Sequence, residues 1–285
     1  MNVSVMTFNL RFNNPGDGGN SWEHRKGAAA EMFSLYRPAI VGTQEGLYGM
    51  LTDLELALPE YGWVGEGRNG GRENEFNAIF YRKDEVEPLD RGQFWLSEQP
   101  DGPKEKSWGA SHFRICTWVL FRSRTESGKS FLHYNTHLDH SSQHAREKGS
   151  RLLWTRLAEH RERTGLPAFL TGDMNAEPDN PAIAFLRGKL EVDGALSSLC
   201  DAYESAGKDP GLSFHGFAGG DEGRPIDYVF ASPEIRFLGV GIIRDRIGGL
   251  YPSDHYPVLA RAIVQEPDGS GRSTRSNKTE GSVRI

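Results

Sequence analysis

The chain has 285 residues, enough for one large domain or two small ones, and 37% of them are hydrophobic and 25% charged, as in ordinary globular proteins. No apolar run approaches the roughly 18 residues that span a bilayer, which argues against a membrane span. A formal net charge of -6 disfavours tight grip on duplex nucleic acid, which basic surfaces drive by neutralising phosphates.

Val3 to Asn9 reads as a buried strand ending in polar groups, with strand-like Val3-Ser4-Val5 in place of a secretory leader. With only two cysteines, Cys116 in an apolar strand and Cys200 elsewhere, no disulfide framework is expected and a reducing, cytoplasmic location is. A Gly- and Asn-rich loop, 13–20, precedes a helix predicted over 22–36 and closed by Pro38. Ala39 to Gln44 is a second short buried strand that delivers Glu45, and Leu47, Met50, Leu51, Leu54 and Leu58 follow at helical spacing.

The grammar then changes. Segments 61–65, 76–82, 86–96, 114–123 and 130–138 are rich in aromatic and branched residues and separated by turns, as strands are. The polar loop 97–111 is long enough to act as a lid. A charged helix is expected over 141–163, a strand over 167–172, a short helix over 181–190, and strands over 225–231, 235–243 and 257–264. The polar run 266–285 reads as a disordered tail. Many strands, helices at intervals and no linker point to one α/β domain, residues 1–265, with two packed sheets and outer helices.

Polar residues collect at the predicted strand ends: Asn9, Glu45, His137, Asp173 with Asn175, and Asp254 with His255. On an extended strand end, positions i and i+2 point to one side, so Asp173 and Asn175 are expected to face one spot. Asp227 sits in an otherwise apolar strand, where a lone carboxylate needs strong hydrogen bonds, and it is placed to orient His255. Strand ends are where α/β proteins assemble active sites.

In order, Thr7-Phe8-Asn9, Thr43-Gln44-Glu45, Asn135-Thr136-His137, Gly172-Asp173-Met174-Asn175, Ile226-Asp227-Tyr228 and Ser253-Asp254-His255 resemble the blocks of the endonuclease/exonuclease/phosphatase superfamily. That superfamily includes pancreatic deoxyribonuclease, apurinic endonucleases, inositol polyphosphate 5-phosphatases, nocturnin and deadenylases, and the small bacterial nocturnin-like members are the nearest in pattern. The resemblance covers residues 3 to about 264 and implies a four-layered α/β sandwich, two packed and mostly antiparallel sheets flanked by helices. It also implies a divalent metal, Mg²⁺ or Mn²⁺. By position, Glu45 resembles the principal metal ligand, with Asn9 and Asp254 near the metal. Asp173 resembles the residue that activates water, Asn175 and His137 the contacts to phosphate oxygens, and Asp227 with His255 the carboxylate–imidazole pair. Arg114 falls where a phosphate-binding arginine stands in the deoxyribonuclease branch.

Other residues are substrate-side candidates. His140 and Asp139 follow His137 in a segment similar to bacterial members of the superfamily. Of Arg25, Arg68 and Arg72, near a substrate route, Arg72 is favoured because its polar loop runs into a strand. Trp95 and Trp108 suit base or sugar stacking, or simple packing. Four histidines, His133, His137, His140 and His144, are spaced somewhat like the ligands of zinc hydrolases, but Asn135 stands where the first zinc histidine would be. The expected activity is metal-dependent phosphoester hydrolysis by in-line water attack, on a nucleotide, a short single-stranded nucleic acid or another small phosphoester. A DNA or RNA nuclease is the nearest alternative, and a catalytically inactive binding module is the alternative of another class. No obligate protein partner is expected.

Overall fold

The structure is a computed structural model that describes residues 1–207 and 210–265, so the expected tail, 266–285, lies outside the described residues. Its frame is two six-stranded mixed sheets. The strands are β1 (Asn2–Asn9), β2 (Ile40–Gln44), β3 (Tyr61–Val64), β4 (Ile79–Arg82), β5 (Val86–Trp95), β6 (Ile115–Ser123), β7 (Ser130–His137), β8 (Ala168–Asp173), β9 (Cys200–Asp201), β10 (Asp227–Ala231), β11 (Ile235–Ile242) and β12 (Val258–Val264). The helices are α1 (Trp22–Tyr36), α2 (Tyr48–Ala57), α3 (Gln143–Thr164), α4 (Pro181–Leu186) and α5 (Ala202–Ala206).

One sheet has the order β11-β12-β1-β2-β4-β3 and the other β5-β6-β7-β8-β10-β9. Each is antiparallel except for one central parallel pair, β1/β2 and β7/β8. A parallel pair needs a crossover connection. Helix α1 supplies it in the first sheet and α3 in the second. Helix α3 starts where the Ser142 hydroxyl caps the Ala145 N–H at 3.1 Å, and it stops at Gly165, whose φ of 70° suits glycine.

Two apolar clusters separate the layers. Met6, Phe8, Met32, Phe33, Leu51 and Phe80 pack the first sheet on α1 and α2. Val5, Ile40, Val119, Leu132, Leu153 and Phe169 belong to the second cluster, which joins the sheets and runs on to α3. The result is the expected four-layered sandwich.

Between the sheets the core is polar at one level. Gln44 Nε2 donates to Thr7 Oγ1 at 3.1 Å and to Asn135 Oδ1 at 2.8 Å. Asn135 Nδ2 reaches the carbonyls of Thr43 and Ala78, at 2.8 and 3.2 Å. Thr171 Oγ1 donates to Asn135 Oδ1 at 3.0 Å and also contacts His133 Nε2. The sheets close so tightly here that a Cβ on Gly42 would stand 2.2 Å from Thr171 Oγ1, so only glycine fits. This network lies directly below the strand ends that form the candidate site.

Short elements depart from the sequence expectations. The 200–206 region forms β9 and α5, pieces too short for a periodic signal, and Pro15–Asn20 folds as a 3-10 turn. The last helix of the middle region ends at Leu186, four residues earlier than expected, because Gly188 takes a φ of 67°.

Candidate active site

Four polar residues leave the C-terminal ends of the two parallel pairs: Asn9 from β1, Glu45 just after β2, His137 from β7 and Asp173 from β8. Register brings the rest to the same rim. Asp227 opens β10 opposite Asp173, and the 253–255 segment precedes β12, whose Val258 pairs with Thr7.

Asp173 is the centre of the arrangement. Its Oδ2 accepts from Asn9 Nδ2 at 3.0 Å and lies 3.5 Å from His137 Nε2 and 3.8 Å from His255 Nε2. Asn9 Nδ2 also donates to Glu45 Oε1 at 3.1 Å, so one amide spans both carboxylates. The Asn9 oxygen accepts the Arg11 N–H at 2.9 Å. Asn9, expected among the metal ligands, stands between the two carboxylates, its nitrogen toward Glu45 and Asp173 and its oxygen on the Arg11 N–H.

On the far side of Asp173, His255 Nδ1 meets Asp227 Oδ2 at 2.9 Å. Asp227 Oδ2 also accepts from the Ser213 hydroxyl at 2.7 Å, a contact with no motif in the sequence. The expected carboxylate–imidazole pair is therefore present, and buried.

Asn175 arrives by a route different from the expected one. Strand β8 ends at Asp173, and Asn175 takes a left-handed φ of 46°. The Asn175 N–H closes on Asp173 Oδ1 at 2.9 Å in an Asx turn, and its amide reaches His137 Nε2 at 2.9 Å. Both side chains do face one spot, through a turn and not through the pleat. Glu45, at φ 61°, and Arg11, at φ 52°, are also left-handed, so three strained residues surround the site. Such strain concentrates where function holds a backbone in place.

Electrostatics divide the site. Burial and the charge of Asp227 push Asp173 up to about 7, against the pull of His255 and the Asn175 N–H. Burial opposes a charge on His255, yet Asp227, Asp173 and Asp254 together push it up to about 10. Asp254 is raised by burial and by Glu45, despite Arg11 with its Nε 3.7 Å away. His137 goes the other way: burial and then Arg114 and His255 hold it well below the usual imidazole range. Neutral, it suits the hydrogen bond it accepts from Asn175.

These residues line a cleft of about 470 Å³ together with Arg68, His112, Arg114 and His140. The two guanidinium groups make their part of the wall basic. Arg114 Nη2 contacts His140 Nδ1 at 3.1 Å, and its Nε lies 3.4 Å from Asp139. Asp139 is buried below the wall and saturated with hydrogen bonds. Despite its burial, the N–H groups of Ser141 and Ser142 and the Ser111 hydroxyl hold its carboxyl well below the ordinary range. It fixes the 111–114 loop to the wall and does not face the cavity.

Arg72 is not brought into the cleft: its guanidinium sits 4.3 Å from the Tyr48 ring centre. The arginine of that loop which does line the cavity is Arg68, turned inward by Glu75 at 2.8 Å and Asn74 at 2.9 Å. Trp95 donates its indole N–H to the Arg68 carbonyl, which makes it a brace and not a stacking platform. The four histidines separate: His133 is buried between the sheets, His137 lines the cleft, His140 stands at its wall and His144 is exposed. Sequence reasoning missed Arg11, Phe12, His112, Phe214 and Ile226, all of which line the cavity. His112 lies one residue past the lid-like loop 97–111, and nothing marked Phe214, whose ring packs 4.8 Å from that of His255.

The donor set can be tested against a divalent cation. Glu45, His137 and Asp173 offer ligand atoms within 4.8 Å of one another, and Asp254 adds a third carboxylate to the same cavity. The carboxylates are hard oxygen donors, and burial together with neighbouring acids raises Asp173 and Asp254, a set that fits Mg²⁺ or Mn²⁺. Among the described residues no helix is long and apolar enough to cross a membrane.

Residues 6–255 match the profile of the Endonuclease/Exonuclease/phosphatase family. Among solved structures, an endonuclease/exonuclease/phosphatase from Bacteroides vulgatus is 34% identical with a TM-score of 0.83, over 93% of this chain and all of the other. The mannosyl-6-phosphatase of Bacteroides thetaiotaomicron is 33% identical with a TM-score of 0.83, over 92% of this chain and 99% of that one. The catalytic domain of human nocturnin shares the fold at 19% identity, with a TM-score of 0.70 over 92% of this chain and 94% of that one. No functionally curated sequence matches the chain.

Proposed function

The chain belongs to the endonuclease/exonuclease/phosphatase family, whose members are divalent-metal-dependent phosphoester hydrolases, and from that premise we propose that it releases phosphate from a small, sugar-like phosphomonoester. The observation that carries the reading is the polarity of the cleft. Three carboxylates, Glu45, Asp173 and Asp254, form an acidic wall in a cavity of about 470 Å³ that Arg68, Arg114, His112 and His140 also line. That size suits a small molecule. The 33% identical relative that acts on a mannosyl 6-phosphate supports the same substrate class.

Glu45 and Asp254 are the residues that would hold the cation, with Asp173 bordering it. When bound, the cation polarises a phosphoryl oxygen and offsets charge that builds up in the transition state. Asp173, raised by burial and by Asp227, is the carboxylate that takes a proton from the attacking water. His255, held charged by Asp227, presents its Nε2–H toward the phosphoryl group and stabilises negative charge there. Asp227 fixes the imidazole by accepting from Nδ1. Arg114 adds a planar donor pair suited to phosphate oxygens. Asn9 and Asn175 hold the carboxylates and His137 in register.

A diester reading is favoured by one observation, the 44% exposed Phe214 beside His255, a ring on which a nucleobase could stack. The deciding experiment offers hexose 6-phosphates, nucleoside monophosphates, a bis-aryl phosphodiester and a short single-stranded oligonucleotide with Mg²⁺ or Mn²⁺. Phosphate release from monoesters that Asp173→Ala and His255→Ala both abolish is the expected result. Preferred cleavage of the diester or oligonucleotide would replace the phosphatase reading with the nuclease one. No metal-dependent turnover of anything would leave a binding module.

A further inference from the structure

Arg25 is fully buried, at 0% exposure, yet among the described residues none of its hydrogen bonds goes to a carboxylate. A buried guanidinium without a paired acid is expensive unless its donors are otherwise filled. They are filled by backbone carbonyls from three separate segments. Nε donates to Asn20 at 2.9 Å, Nη1 to Leu10 and to Pro252, the latter at 3.0 Å, and Nη2 to Arg11. Trp22 covers one side of the cation, 5.1 Å from its ring centre, and Phe217 lies 5.9 Å away.

The segments it joins are those that carry the acidic wall. Leu10 and Arg11 continue directly from Asn9, the residue that bridges Glu45 and Asp173. Pro252 is two residues before Asp254 and three before His255. It lies 227 positions from Arg25 in sequence. A lysine could keep the charge but not the fork that reaches several carbonyls at once. The cation also stands close enough to Asp254 and Glu45 to act on them electrostatically.

We propose that Arg25 is a positioning residue for the acidic wall: its buried fork clamps the end of β1 to the segment before β12, which sets Asp254 and, through Asn9, Glu45 at the spacing a divalent cation requires. This rests on the hydrolase reading above. Arg25 touches neither substrate nor cation.

The test compares the full chain with Arg25→Lys, measuring Mn²⁺ binding by calorimetry together with kcat and KM. Supporting groups behind metal ligands typically change affinity or activity by about 10- to 100-fold when removed. The expected result is weaker Mn²⁺ binding and lower kcat by about that range, with KM within about threefold and native circular dichroism retained. In a double-mutant cycle with Asp254→Asn on Mn²⁺ affinity, the two losses should be less than additive. A lysine variant that only melts earlier, with Mn²⁺ affinity and kcat unchanged, overturns the proposal, as do additive losses. Should the lysine variant fail to fold, hydrogen exchange on the unaltered chain decides: Mn²⁺ should slow exchange jointly over 10–12 and 252–255. Protection near Glu45 without those two segments overturns it. An unaltered chain that binds no Mn²⁺ overturns the hydrolase reading and this proposal together, whereas binding with an indifferent lysine variant sinks this proposal alone.

Discussion

Gln44 Nε2 lies 2.8 Å from Asn135 Oδ1, and this one bond ties the strand that delivers Glu45 to the strand that delivers His137. Both side chains are fully buried. The bond belongs to a polar network enclosed between the sheets, where low dielectric strengthens each hydrogen bond.

Asn135→Ala should therefore destabilise the chain strongly. It strips hydrogen bonds from Gln44, Thr171 and the carbonyls of Thr43 and Ala78. Each of the four lost buried hydrogen bonds is worth about 0.5–1.5 kcal/mol net, so a total loss of about 2–6 kcal/mol is expected in urea unfolding. A loss under about 1 kcal/mol would show that the network contributes little to stability.

Asp227→Asn keeps the shape of the side chain but removes the charge that holds His255 protonated and in one tautomer. We expect kcat to fall by roughly 10²- to 10⁴-fold with KM little changed. An equal rise in KM would assign Asp227 to substrate binding.

Arg114→Ala and Arg72→Ala form a contrasting pair. Loss of a charge-assisted hydrogen bond worth about 1.5–3 kcal/mol predicts roughly ten- to hundredfold lower kcat/KM for Arg114→Ala. Arg72, stacked on Tyr48 outside the cleft, should leave kcat/KM within about twofold. Steady-state kinetics on the preferred ester separate the two.

Chelation with EDTA should abolish turnover, and Mg²⁺ or Mn²⁺ should restore it. Cation at about 100 times its dissociation constant stabilises the folded chain by about 2.7 kcal/mol. For a domain of this size that raises Tm by roughly 5–10 °C. Glu45→Ala should lose most of the rise; a full rise in that variant would move the cation away from Glu45.

Acid should weaken the fold through buried histidines. Burial takes His133 from 6.5 down to about 3, so the folded chain keeps it neutral where the unfolded chain already binds a proton. Its contribution is complete above pH 6.5 and drains away as pH falls towards about 3. One such group changes stability by at most about 1.4 kcal/mol per pH unit. His215, brought down to about 4 by burial, adds in the same direction. Asp173, raised to about 7, acts in the opposite sense over this window, so the test is a difference. From pH 6.5 to about 4.5 the unaltered chain should lose stability relative to His133→Gln, and parallel urea-midpoint curves would refute the assignment.

Much of the site was legible because strands place their ends predictably. Asn9, Glu45, His137 and Asp173 stand at the ends of runs whose apolar pattern marks buried strands, and ordered sequence blocks linked them to Asp227 and His255. The bridge that the Asn9 amide makes between Glu45 and Asp173 has no local signature, since its partners lie 36 and 164 positions away. The polar loop that runs into a strand favours Arg72, yet Arg68 lies in the same loop. The choice between them was made by Glu75 and Asn74, which turn Arg68 inward through contacts no periodicity records. Ser213 and Phe214 were invisible for a like reason: a loop reaches the cleft only by packing back over β10 and the 253–255 segment. Such approaches are tertiary facts without a local signature.

The pairing of β1 with β12 has a consequence for the order in which the protein becomes competent. The first strand made must wait for the last, with Thr7 beside Val258 and the Met1 carbonyl accepting from the Val264 N–H at 2.8 Å. Until residues near 264 have left the ribosome, Asp254 and His255 have no strand to seat them, and Arg25 has no Pro252 carbonyl to grip. Every strand of the second sheet precedes β11 and β12, so Asp173 and Asp227 are synthesised before the segment that carries Asp254 and His255. Assembly of the candidate site therefore waits until β1 and β12, far apart in sequence, meet.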